Sequence, residues 1–375
     1  MLYMAIVIIS LVFGLSTSSN RIVGFLGLMG LGWLIATDYI ETNGDYANYL
    51  SAYNTVSSGN TPFENGYTWL ELISYNRGLT YEEFRFWFAI VAVLILYIGV
   101  VRFTKNISLF VFLFAISTFF ADGTQIRNLM MIAIIILATS FLKKLSFVNI
   151  SIFVVLLYCA TQLHSSGYAF YIILIARLLP RKNLKNISLF TIAATFVFSL
   201  TLKIFGFSTL FNVLVKIFGS TVQRVNFLTK LHSYTNGTNS YTILLIWITV
   251  LVSIGISFVL FRLINNVELK KTNENARLLF FGMSTAIIAM PLVIMAPDYS
   301  RIARNATLFL FILVSLYFEK SNIKNNLSIS KNKVVIMMII FLIPFIYVHD
   351  TIWGPTFLNS ISYTAKLKNP YFYKQ

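Results

Sequence analysis

The chain has 375 residues, 57% hydrophobic and 11% charged, with a mean hydropathy of +0.77. A soluble domain carries about 25% charged residues, so an ordinary soluble enzyme, a disordered chain and a nucleic-acid binder with a solvated basic surface are excluded. The 29 Lys and Arg against 13 Asp and Glu give +16, but these charges fall in short clusters between apolar runs, as in a polytopic membrane protein with basic loops on one side.

A spanning helix needs roughly 17–25 mostly apolar residues. Taken in order, the apolar runs predict about twelve spans: 2–15, 22–36, 84–101, 107–121, 129–142, 147–161, 167–179, 187–205, 241–264, 278–296, 306–318 and 334–347. The first run lacks a basic leader and a small-residue cleavage site, so it reads as an anchor and not a signal peptide. The expected fold is all-α, with a single transmembrane domain over 1–375 and short extracytoplasmic interfacial helices. With the N-terminus outside, the inner loops hold 17 basic residues against Glu268, Glu274 and Glu319, and the outer side holds 12 against 10 acids. The positive-inside rule favours that orientation, with the C-terminus outside as well.

Two outer segments are long. Residues 37–83 hold seven of the 13 acids and many tyrosines, and residues 206–240 carry Lys216, Arg224, Lys230 and His232. Both mix apolar and polar stretches, which predicts interfacial helices. The lone cysteine, Cys159, excludes an intramolecular disulfide, and three scattered histidines argue against a His-based metal site.

Candidate chemistry gathers on the outer side. Asp38, Glu41 and Asp45 share helical spacing, as do Tyr46, Tyr49 and Tyr53, and Glu64, Tyr67 and Glu71. Carboxylates accept hydroxyl hydrogen bonds and rings cover the apolar face of a sugar, so the pattern suits a carbohydrate site; a solvated loop with interfacial tyrosines has the same pattern. Gln125-Ile126-Arg127-Asn128 stands where the chain re-enters the membrane, and Arg127 at a helix N-terminus suits a phosphate; a snorkelling arginine is the plain alternative. Asp298-Tyr299-Ser300-Arg301-Ile302-Ala303-Arg304-Asn305 repeats the arrangement, with Arg301 and Arg304 on one face. Two arginines suit a pyrophosphate, while a structural Asp298–Arg301 pair accounts for the same residues. His164, in a tight turn, is a general base, a hydrogen-bond donor or a structural residue.

In this order the landmarks resemble the EpsG family, related to the Wzy-type polysaccharide polymerases. They are Asp45-Tyr46-Ala47-Asn48-Tyr49, Glu64-Asn65-Gly66-Tyr67, Gln125-Ile126-Arg127-Asn128, His164-Ser165-Ser166 and Tyr299-Ser300-Arg301. Asn128 departs from the Gln common in the family. The resemblance implies a glycosyltransferase C-like membrane fold in the inner (cytoplasmic) membrane and a polymerase of an exopolysaccharide, capsule or O-antigen. It implies transfer from undecaprenyl-pyrophosphate-linked glycan to a lipid-linked repeat unit, without metal or cofactor, beside a flippase and a chain-length regulator. Asp38, Asp45, Glu64 and His164 are then the catalytic candidates. Arg127, Arg301, Arg304, Gln125, Tyr46, Tyr49 and Tyr67 are the substrate-binding ones. A lipid-linked oligosaccharide flippase or transporter, another lipid-phosphate-sugar glycosyltransferase or an O-antigen ligase, and a non-catalytic assembly subunit are the rival readings.

Overall fold

The computed structural model describes residues 2–17, 19–37, 45–59, 61–179, 184–205, 240–267, 273–294, 296–323 and 328–353. Among these residues every regular element is helical. The order is α1 (Leu2–Ser16), α2 (Arg21–Ala36), α3 (Tyr46–Asn54), α4 (Asn65–Asn76), α5 (Tyr81–Val101), α6 (Ile107–Ala115), α7 (Phe119–Thr124), α8 (Ile126–Phe141) and α9 (Phe147–Thr161). A 3₁₀ segment (Ser165–Tyr171) leads into α10 (Ile172–Leu178), followed by α11 (Leu184–Phe205) and α12 (Ser240–Val267). Then come α13 (Glu274–Ser284), a 3₁₀ turn (Thr285–Ile288), α14 (Ala289–Leu292), a 3₁₀ turn (Pro297–Tyr299), α15 (Ser300–Ile323) and α16 (Ser328–Trp353).

Five of these stretches are long and apolar enough to cross a membrane: Tyr81–Val101, Ser240–Asn265, Glu274–Leu292, Pro297–Ser321 and Lys331–Val348. Shorter apolar helices accompany them at Leu2–Ser16, Arg21–Ala36, Ile126–Phe141, Phe147–Thr161 and Ser165–Leu178. The all-helical, multi-pass class expected from the sequence is therefore present; among the described residues five stretches are of full length and five are shorter, so the expected count of about twelve is not established. The centre is built on α8 and α15. Helix α5 packs between α2 and α8, α9 lies on α8, and α15 touches α6, α12 and α13. Leu308 to Val314 of α15 are all buried, as befits a helix that is apolar all round. In α16, by contrast, Ile336, Ile339, Ile340 and Ile343 form an exposed stripe at helical spacing, a face made for lipid.

Local chemistry sets the helix ends. Thr80 and Glu83 form a capping box at the start of α5, the Thr80 N–H donating to Glu83 at 2.8 Å. Asn106, Ser146 and Asn273 cap α6, α9 and α13 through their side chains. Gly24 lets α2 lie against Ile107, where a Cβ would stand 2.4 Å from that side chain.

Three apolar runs are broken where the sequence predicts single helices. Run 107–121 divides into α6 and α7; the Ser117 hydroxyl turns back to the Leu113 carbonyl, a bond that bends helices. Asp122, past the expected end of that span, is carried inside α7. Run 278–296 is interrupted at Thr285–Ile288, where the Thr285 hydroxyl donates to Gly282 at 2.7 Å. Run 167–179 starts as the 3₁₀ segment. The second outer segment, 206–239, and the stretch with Asp38, Glu41, Asn43 and Gly44 lie outside the described residues.

Polar contacts separate into two layers at opposite ends of the helices. At one end the Thr104 hydroxyl and Lys105 N–H donate to Glu319 at 2.8 and 2.6 Å, and Arg177 pairs with Glu274 at 3.2 Å. These residues all come from loops that the charge distribution assigns to the inner face. The opposite layer holds Glu64, Arg127, His164, Asp298, Arg301 and Arg304.

Candidate functional site

The chain turns sharply at Gln125, so that Arg127 is the second residue of α8. Its guanidinium pairs with the Glu64 carboxylate and lies against the rings of Phe63, Tyr67 and Tyr49, at 4.0, 5.3 and 5.4 Å from their centroids. Glu64 stands extended just before α4, and its second oxygen accepts from the Ser165 N–H at 2.8 Å. One carboxylate thus ties together α4, α8 and the turn after α9. Burial favours the neutral Glu64, but Arg127, His164 and the Ser165 N–H outweigh it and hold the carboxyl below its usual range.

The first turn of α4 is seated by backbone. The N–H groups of Gly66 and Tyr67, free of partners within their own helix, both donate to the Gln162 carbonyl at 3.0 and 3.1 Å. A Cβ at Gly66 would stand 2.7 Å from Gln162 Cβ and 2.9 Å from its oxygen. This is the physical content of the Glu-x-Gly pattern: the acid reaches Arg127 because the glycine lets the helix sit on α9.

His164 precedes the 3₁₀ segment, and its Nδ1 accepts from the Ser166 N–H at 3.2 Å. The Ser166 hydroxyl lies 2.9 Å from the same nitrogen and 3.3 Å from the Met131 sulfur. Burial and Arg127 push the imidazole down to about 3, so the ring is neutral. Arg301 and Arg304 act on it in the same sense. Three guanidinium groups therefore oppose a positive charge on this one histidine.

Arg304 is deeper. It is fully buried, 3.2 Å from the Asp122 carboxylate, and donates to Gln125 Oε1 at 2.6 Å. Asn128 and Asn305 exchange amide hydrogen bonds at 2.7 and 2.8 Å. Together these contacts lock the start of α8 to the start of α15. Arg301, one turn earlier on α15, is a quarter exposed and faces Asp298 at 3.6 Å. It is the more open of the two arginines on that helix.

The acidic and aromatic outer segment is placed differently from its sequence reading. Asp45 immediately precedes α3 and acts electrostatically on Tyr49 and Arg304. Tyr46, Tyr49 and Tyr67 are buried to 5, 4 and 0% exposure. Tyr46 takes an edge contact from Tyr81 at 5.0 Å and donates to Glu82 at 3.2 Å, while Tyr49 and Tyr67 pack on each other and on Arg127. The expected open ring faces are consumed by these contacts, because rings and guanidinium bury each other. Glu71 is fully buried, with neither carboxyl oxygen in a good hydrogen bond, and burial pushes it up to about 8. Asp38 lies outside the described residues.

Asp122 and Phe63 complete the cluster without being singled out by the sequence, and Ser165 of the His164-Ser165-Ser166 landmark joins it through its main-chain N–H. Asp122 carried a signal: an acid between two apolar runs is functional by default. Phe63 carried none, and the landmark that contains Ser165 did not announce a role for its main-chain N–H. Among the described residues no three His, Cys, Asp or Glu side chains gather in one place.

The chain belongs to the EpsG family, whose family model matches residues 21–359, nearly its whole length. This is a family of Wzy-like polysaccharide polymerases. The chain is accordingly a multi-pass membrane protein with a polysaccharide polymerase-like role. No curated protein and no solved structure matches it.

Proposed function

We propose that this member of the EpsG family joins lipid-linked oligosaccharide repeat units at the outer face of the cytoplasmic membrane. The donor is the growing glycan on undecaprenyl pyrophosphate, and the acceptor is one lipid-linked repeat unit. The anomeric C–O bond to the pyrophosphate breaks, the acceptor hydroxyl oxygen forms the new bond and passes its proton to the freed Glu64 carboxylate, and negative charge grows on the leaving pyrophosphate. One observation supports the reading: Arg127 opens α8, Arg301 and Arg304 open α15, and the Arg304–Gln125 and Asn128–Asn305 hydrogen bonds hold those two helix starts together. A planar guanidinium grips phosphate through two parallel hydrogen bonds, and helix N-termini add oriented N–H groups.

The arginines differ in task. Arg127 exchanges its Glu64 contact for the pyrophosphate, Arg301 reaches it from α15, and Arg304, braced by Asp122 and Gln125, supplies positive potential from behind. The displaced Glu64, with Asp45, orients the acceptor. Tyr46, Tyr49 and Tyr67 hold the arginines in place and do not touch the sugar. No step in this scheme uses a metal ion. A flippase delivers the repeat unit and a chain-length regulator limits the product.

The test is polymer formation in vitro from purified lipid-linked repeat units. Removing one preorganised donor from a developing anion lowers rate on the order of 10²–10³-fold. Arg127→Lys and Arg301→Lys are each expected to fall in that range with the fold intact, and their alanine variants further. Near-wild-type rates in both lysine variants would remove the pyrophosphate assignment.

A further inference from the structure

We propose that His164 is a fixed, uncharged hydrogen-bond donor that presents Nε2–H to an anionic phosphate oxygen and takes no proton from the acceptor. The inference rests on the pyrophosphate reading above and assigns a distinct role within that site.

The argument starts from a bond whose direction cannot invert. A main-chain N–H only donates, and the Ser166 N–H points at His164 Nδ1 from 3.2 Å. Nδ1 therefore carries its lone pair toward Ser166, and the ring proton of a neutral imidazole resides on Nε2. An imidazolium would set two N–H groups against each other at Nδ1. The Ser166 hydroxyl lies 2.9 Å from the same nitrogen and donates to the Met131 sulfur at 3.3 Å, so the main-chain N–H is the group that fixes the tautomer. The tautomer is held further by Glu64, which grips the N–H of Ser165, the residue between His164 and Ser166.

The surroundings point the same way. The charged groups that act on the ring are Arg127 at the start of α8, Glu64 before α4, and Arg301 and Arg304 on α15. Three cations against one carboxylate oppose a further positive charge on the ring, and burial opposes it too. His164 is half-buried, and among the described residues Nε2 has no hydrogen-bond partner. A general base at Nε2 needs a lone pair there, which this tautomer does not supply. A donor among guanidinium groups fits a phosphate oxygen, which has lone pairs and no proton to give.

The experiment uses the full-length protein in nanodiscs, with ¹⁵N-labelled histidine rings and the His164 signals assigned by their loss in His164→Gln. Nδ1 is expected to be of the lone-pair type and unchanged between roughly pH 5 and 8, the interval in which an ordinary histidine titrates. Added undecaprenyl pyrophosphate is expected to shift the Nε2–H signal. In the polymerisation assay, His164→Gln, which keeps an N–H donor, should retain about tenfold more rate than His164→Ala, within the 10²–10³-fold span of one lost donor. The pH profile of His164→Gln should match that of the wild type. An Nδ1–H tautomer, titration of the ring in that interval, an Nε2–H signal indifferent to the lipid, or a pH limb that vanishes in His164→Gln would each overturn the proposal. If the tautomer and the lipid response hold while the wild type makes no polymer, the polymerase reading falls and the donor assignment stands.

Discussion

Asp122 and Arg304 offer the most quantitative perturbation. Both side chains are essentially sealed from solvent, at 1 and 0% exposure, and face each other at 3.2 Å. Asp122→Asn keeps the shape and removes the negative charge, leaving Arg304 buried with Gln125 as its neutral partner. Breaking a buried pair from one side costs about 3–5 kcal/mol; because the substituted amide would still accept a hydrogen bond, the expected loss is about 3 kcal/mol. For a chain of this length that corresponds to a fall of about 4 °C in unfolding temperature. Arg304→Gln alone strands the carboxylate and behaves alike. The double variant Asp122→Asn/Arg304→Gln buries two neutral amides, so it should be more stable than the sum of the singles by about 2 kcal/mol. Tryptophan fluorescence during heating in detergent reads all three. The reasoning fails if Asp122→Asn unfolds within about 1 °C of the wild type, or if the two losses simply add.

Gly66→Ala should lower polymerisation by separating α4 from Gln162, with Glu64 losing its reach to Arg127; unchanged activity at normal membrane levels would show that this seating is dispensable. Glu71 has a pH signature. Its carboxyl is pushed from the ordinary 4.5 up to about 8, so between those values the unfolded chain releases a proton that the folded chain keeps, and stability declines as pH rises through that window. Glu71→Gln should flatten the decline and be the more stable form at pH 8 in the same melts; an unaltered slope refutes the buried neutral acid. For topology, single cysteines in a Cys159→Ser background should label with an impermeant thiol reagent at position 64 and not at position 270 in intact cells, and labelling at 270 inverts the orientation.

The all-helical membrane class was legible because composition and run length are global properties that no local rearrangement alters. The sequence also placed Arg127 and Arg301 at helix starts, since a charge at the edge of an apolar run marks a boundary. It misjudged the tyrosines. Spacing puts Tyr46, Tyr49 and Tyr53 on one face, but whether that face meets a sugar or a neighbouring guanidinium depends on what the fold packs over it. It paired Arg304 with Arg301 on one face and did not foresee Asp122, which lies 182 positions earlier and meets it only through the packing of α7 and α15. The Glu64–Ser165 bond was invisible for a different reason: one partner is a main-chain N–H, which every residue but proline possesses.

The short helices of the first half have a mechanical consequence. Helices α1, α2, α8 and α9 contain 15 or 16 residues, a rise of about 23 Å at 1.5 Å per residue, against a hydrocarbon layer of about 30 Å. The α15 and α16 helices, with 24 and 26 residues, span that layer in full. A bilayer meets helices this short by thinning locally or by receiving their snorkelling ends; α8 carries Arg127 in its first turn and α9 leads into the turn with His164. Under the proposed function, local thinning would lower a lipid-linked phosphate toward the arginines. Polymerisation in the in vitro assay is then expected to depend on the acyl-chain length of the surrounding lipid, and a rate indifferent to it would refute this consequence.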